Sequence, residues 1–112
     1  MNYLHIWADL KDSHKDLEFC DAVDRYLGNL KAKGLIEYFT LTRRKFGFGP
    51  SELGEFHIVV AARDLAQLDA AFGEVATRAG EIERLHIPVY AACSRTQAAL
   101  YRDFPGDERT KK

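Results

Sequence analysis

Two histidines fall in segments that alternate with the period of a strand. His5 lies in NYLHIWADL and His57 in EFHIVVAAR. In the first segment Leu4, Ile6, Ala8 and Leu10 alternate with Tyr3, His5, Trp7 and Asp9. In the second, Phe56, Ile58 and Val60 alternate with Glu55, His57, Val59 and Ala61. Side chains two apart share a sheet face, so each histidine stands opposite a row of aliphatics. If the two strands are neighbours, the imidazoles can meet across them. An imidazole titrates near pH ~6.5, so such a pair beside the Glu55 carboxylate could shuttle a proton. His5, His57 and Glu55 could also hold a metal through two nitrogens and one oxygen. The ligand spacing within one helix or loop that marks such sites is absent, and no metal ligand is assigned. The plainer alternative is a pair of histidines bonded to polar partners in a half-buried interface.

Other polar groups could complete the site. Trp7 and Tyr3 share the His5 face. Tyr101 and Asp103, in ALYRDFP, share a face of a later strand, as pocket residues or as interface hydrogen-bonding groups. Arg43, Arg44 and Lys45 precede the glycine-rich stretch FGFGP. Guanidinium forks and loop amides could bind a phosphate or a carboxylate there. The Walker order is missing, and a solvated basic end of an edge strand explains the run equally well. Arg43 has the parity of Phe39 and Leu41, Arg44 that of Tyr38 and Thr42, so either could face inward. The candidate set is therefore His5 and His57 for chemistry, with Tyr3, Trp7, Glu55, Arg43 and Tyr101 for ligand binding. His14 and His86 read as solvated or capping residues. No particular cofactor is indicated.

The elements that must position these groups follow from period and punctuation. A strand is predicted over 2–10 and a helix over 14–33. The helix has Ser13 and Asp16 as a capping box, an apolar stripe at Leu17, Cys20, Val23, Leu27 and Leu30, and Gly34 as its left-handed stop. The aromatic and β-branched run at 36–45 is a second strand, 46–54 a loop and 55–63 a third strand. Asp64 caps a second helix over 65–79, with Leu65, Leu68, Phe72, Val75, Ala76 and Ala79 on its stripe and Gly80 after it. HIPVYAAC at 86–93 is a strand or, preferably, a short helix with Pro88 in its first turn. TQAALYRDF at 96–104 is then the last strand. Residues 105–112 read as a flexible tail behind a single domain over 1–104.

The resulting order, β-α-β-β-α-(short α)-β, gives an α+β fold. A four-stranded antiparallel sheet carries its helices on one face. Right-handed crossovers give strand order 4-1-3-2 and make the first and third strands central neighbours. The opposite face, with Tyr3, His5, Trp7, Glu55, His57 and Val59, has no helical cover. The same face of a second copy would cover it in an isologous homodimer enclosing a small-molecule pocket.

The segments YLHIW, LTRRKFGFGP, ELGEFHI and ALYRDFP, with HIPVYAACSR leading into the last strand, resemble the dimeric α/β-barrel superfamily of ferredoxin-like proteins. The likeness is strongest to small bacterial members of unknown function related to the stress-responsive A/B-barrel type. The resemblance implies a homodimer with a pocket between two sheets. The superfamily includes monooxygenases, muconolactone isomerase-like enzymes, haem-binding proteins and proteins of no known activity, so it leaves the chemistry open.

Composition narrows the alternatives. The chain is 46% hydrophobic and 29% charged, as a globular domain is. Sixteen basic against seventeen acidic residues leave a net charge of −1, which exerts no overall pull on nucleic acid or anionic membrane. KFGFG echoes an RNA-recognition motif, but it falls in a loop rather than on the third strand, so single-stranded RNA binding is not expected. A structural or regulatory dimer without a ligand remains an alternative to the pocket protein. Cys20 and Cys93 lack paired spacing and read as small core residues of a reducing, cytoplasmic compartment. Neither a signal peptide nor a membrane span is expected.

Overall fold

The structure, a computed structural model, describes residues 1–109. Strand β1 spans Asn2–Leu10, helix α1 Asp16–Ala32, β2 Tyr38–Arg43, β3 Phe56–Ala62, α2 Leu65–Ala76, α3 Gly80–Ala91 and β4 Cys93–Arg102. The sheet is antiparallel with order β2-β3-β1-β4, as the crossover argument requires. Its register makes Tyr3, His5 and Trp7 opposite Ala61, Val59 and His57 on β3. The same residues stand opposite Tyr101, Ala99 and Gln97 on β4. All of these side chains therefore share the face that no helix covers.

The helix-side face holds the core, including Ala8, Phe56, Ile58 and Val60 under Phe19, Val23, Leu27 and Leu30 of α1. Phe19 and Phe56 meet edge to face with centroids 5.3 Å apart. The stripe of α1 is thus turned from the expected one. Phe19 is buried and Leu17 is 81% exposed, because Phe19, Val23, Leu27 and Leu30 recur at three to four residues and Leu17 lies off that line. A 3-10 turn, Ser13–Lys15, precedes α1. Asp12 rather than Ser13 caps it, with its carboxylate accepting the His14 amide at 3.0 Å. Gly34 adopts φ +73°, the left-handed stop the sequence required.

Helix α2 starts at a reciprocal cap. Asp64 Oδ1 accepts the Gln67 amide at 2.8 Å, and Gln67 Oε1 accepts the Arg63 amide at 2.6 Å. Gln67 Nε2 donates to Gly34 O and Glu37 Oε2, so this buried amide is fully engaged. Its tethers fix the helix rotation. Gln67, Leu68 and Ala71 face inward, while Leu65 and Phe72 of the expected stripe stand more than half exposed.

The region after α2 departs furthest from expectation. Helix α2 ends at Ala76, and α3 runs from Gly80, so Gly80 opens a helix instead of following one. Pro88 sits inside α3 rather than in its first turn. It removes the bond to the Arg84 carbonyl, and both residues are exposed, so water can satisfy that oxygen. The strand alternative for 86–93 is not what forms, and β4 begins at Cys93. Cys20 and Cys93 are unpaired and half-buried. Of the expected tail, the Arg109 amide bonds back to Gly106 O and Arg102 pairs with Glu108, while residues 110–112 lie outside the described residues. No described helix is long and apolar enough to cross a membrane.

Candidate functional site

The uncovered face brings the two histidines together. His5 Nδ1 and His57 Nε2 are 2.9 Å apart, one donating a proton to the other. Their centroids are 5.1 Å apart and their planes 19° apart. The centroid separation exceeds the nitrogen separation by about two ring radii, so the rings meet tip to tip in nearly one plane. Trp7 lies parallel to His57 at 4.9 Å, and Tyr101 meets His5 edge-on at 4.8 Å. Burial, and then the neighbouring His5, push the His57 pKa down. The pair is therefore a hydrogen-bonded couple embedded in aromatic surface, with the charged form of His57 disfavoured.

The remaining candidates divide. Tyr3 donates to Asp103 Oδ1 at 2.8 Å, tying β1 to the end of β4. That bond raises the Tyr3 pKa and lowers that of Asp103. Glu55 has the parity of His57, but its carboxylate turns to Arg43 Nε at 2.7 Å. Its amide donates to Asp9 Oδ1. The His5, His57 and Glu55 metal set therefore does not assemble, and the described residues contain no group of three potential ligands. Arg43 lies on the helix side, over the Phe56 ring and bonded to Asp16 at 2.9 Å. That contact holds the Asp16 carboxyl below its usual range. Arg43 is thus kept from the histidines by two carboxylates and a core ring. Arg44 extends its guanidinium to the carbonyls of Pro50, Leu53 and Gly54, and so braces the 45–54 loop. Neither arginine presents a free fork for an anion. Phe46 and Phe48 stand exposed on this loop rather than on a strand.

A hollow of about 230 Å³ lies at the loop end of this face, beside Trp7, His57 and Phe48. The larger cavity, about 580 Å³, lies on the other side of the sheet, between the strands and all three helices. Leu4, Ile6, Leu68, Phe72, Val75 and Val89 are among its apolar walls. Its size falls within the range of small-molecule pockets, roughly 300–1,000 Å³. Tyr26, His86 and Tyr90 bring polar groups to it. His86, expected to be solvated, instead stacks on Tyr26 at 4.8 Å and meets Tyr90 at 4.7 Å. Burial pushes the His86 pKa down and that of Tyr26 up to about 12. Cys93 also lines the cavity; burial raises its pKa, which makes it a poor nucleophile. Sequence reasoning missed this site because its segment was read as beginning at His86. A helix from Gly80 puts Glu83, His86 and Tyr90 on one face at spacings of three and four, and that periodicity was the available signal.

The geometry is that of an α+β ferredoxin-like sheet with one bare face and a hollow helix side. The chain belongs to the Family of unknown function (DUF6614). The match covers residues 1–112. No curated protein matches the chain. Solved structures share the fold at low identity. A dimeric ferredoxin-like protein of unknown function from Jannaschia sp. CCS1 is 14% identical, with TM-score 0.67, over 91% of this chain and 98% of that one. The Arabidopsis thaliana protein At3g17210 is 8% identical, with TM-score 0.72, over 96% and 99%. SnoaB, a cofactor-independent oxygenase from Streptomyces nogalater, is 9% identical, with TM-score 0.68, over 96% of each chain.

Proposed function

We propose that this chain is a homodimer joined through the bare faces of two sheets, and that each protomer binds an apolar small molecule between its sheet and its helices. The observation that carries the ligand reading is the cavity of about 580 Å³ with apolar walls and a local polar cluster. The dimer reading rests on the continuous surface of Tyr3, His5, Trp7, His57 and Tyr101, with Tyr101 58% exposed in a single chain. Dimerisation in the Jannaschia protein is consistent with it. A cofactor-independent oxygenase is the class that the likeness to SnoaB suggests, with an isomerase as the alternative that the superfamily resemblance implies.

A second reading keeps a ligand between the two sheets, at the His5–His57 couple. It is favoured by the 2.9 Å contact and by the hollow beside Trp7. Two variants separate the readings. Ala71→Phe fills the helix-side cavity, and His57→Ala alters the face. Screening by thermal shift with a panel of apolar small molecules should find ligands that Ala71→Phe loses and His57→Ala keeps. The reverse pattern moves the site between the sheets. No ligand for the wild type leaves the structural dimer as the surviving reading.

A further inference from the structure

The polar end of the helix-side cavity has a composition that packing alone does not require. Tyr26 comes from α1, and His86 and Tyr90 come from successive turns of α3; Glu83 shares their helix face but does not itself line the cavity. The imidazole is held on both sides, flat on Tyr26 and edge-on to Tyr90, so its orientation is fixed before any ligand arrives. Glu83 stands one turn before it. Its Oε2 is buried with no hydrogen-bond partner among the described residues. A buried, unsatisfied carboxylate oxygen costs stability and calls for a positive charge or a donor nearby.

We infer that His86 is the base of this cavity: its neutral imidazole takes a proton from the weakly acidic end of an apolar ligand, and Glu83 balances the imidazolium that results. The inference rests on the reading of the cavity as the ligand site. The step moves one proton. The ligand's X–H bond breaks, an N–H bond forms on the ring, and an anion–imidazolium pair remains beside the carboxylate, with no redox partner needed. Burial keeps the ring neutral before binding, which leaves its lone pair free. Among the charged groups around the ring, Glu83 favours the imidazolium and Arg78, between α2 and α3, opposes it. Tyr26 contributes no charge near neutral pH, since its own pKa is about 12. The walls are largely apolar, so a pair formed beside them is screened less than it would be in solvent. The ligand class follows from both ends of the cavity: an apolar body, with one ionisable X–H group and no permanent charge.

The test uses 4-nitrophenol, whose absorbance separates the protonated from the ionised form. Its titration is followed at saturating protein with the wild type, His86→Gln, Glu83→Gln and the exposed His14→Gln. The expected result is at least a tenfold excess of bound anion over free anion at equal pH, or about one pKa unit. His86→Gln should abolish the excess, Glu83→Gln should reduce it several-fold, and His14→Gln should leave it intact. An excess that survives His86→Gln overturns the assignment, as does a wild type that binds 4-nitrophenol without ionising it. Those outcomes leave the cavity reading standing. A wild type that binds neither 4-nitrophenol nor any member of the apolar panel overturns the cavity reading and this inference together. Circular dichroism of each variant confirms that a lost signal is not a lost fold.

Discussion

The two faces of the sheet are built from the same strands and behave differently. On the helix side, Leu4, Ile6, Ala8, Phe56, Ile58 and Val60 meet helices whose seating leaves a hollow. On the bare side, His5, Trp7, His57 and Tyr101 pack on one another and leave a hollow at one end. The aliphatic face therefore encloses space, and the aromatic-polar face offers a surface. The reason lies in what covers each. Helices seated by capping and tethers, such as those of Gln67, need not fill every gap. Flat rings in register fill their own plane and leave one side to a partner.

This contrast can be broken by mutation, beginning with the deepest change. Phe19→Ala should cost roughly 3–5 kcal/mol of stability in urea unfolding, since it removes a core ring and enlarges an existing hollow. A cost near zero would mean that the helix side is not the load-carrying core. Trp7→Ala should leave each protomer folded and weaken the proposed dimer by about 2 kcal/mol or more, near thirtyfold in Kd. Sedimentation equilibrium measures this, and an unchanged Kd would place the interface elsewhere.

Acid should act on both faces in the same direction. His57 and His86 have depressed pKa values in the folded chain, so unfolding takes up protons. Stability is therefore full above the unfolded pKa of about 6.5, and it falls as pH drops below that value toward the depressed folded values. His57→Gln and His86→Gln should each flatten part of this slope in melts between roughly pH 7 and 5. A slope that steepens in either variant would contradict the depressed pKa of that histidine. The smallest effect is expected at Arg43. Its pairs with Asp16 and Glu55 are partly exposed, so Arg43→Gln should change stability by less than about 1 kcal/mol. Dimerisation and ligand binding should be unaffected, and a loss of either would return Arg43 to the site.

Strand alternation by itself determined the faces of residues 3–8 on β1 and 56–60 on β3. Period two is local; it lapses only at the buried Ala61 and Ala62 and at the register shift between Asp9 and Leu10. The strand order followed from crossover handedness, and Gly34 and Asp64 announced a helix end and a helix start. Tertiary structure decided what depends on contacts distant in sequence. It turned Glu55 from the parity of His57 to Arg43, an ion pair across 12 residues, while Arg43 kept the helix-side parity of Phe39 and Leu41 and met Asp16 there. It rotated α2 through the tethers of Gln67 and kept Pro88 inside α3, where the freed carbonyl of Arg84 is open to water. It also left a cavity, which no pattern in a sequence encodes, because a void is the space that several elements together fail to fill. The pairing of His5 with His57 could be foreseen from parity. The placing of His86 beside Tyr26 needed the packing of α1 on α3.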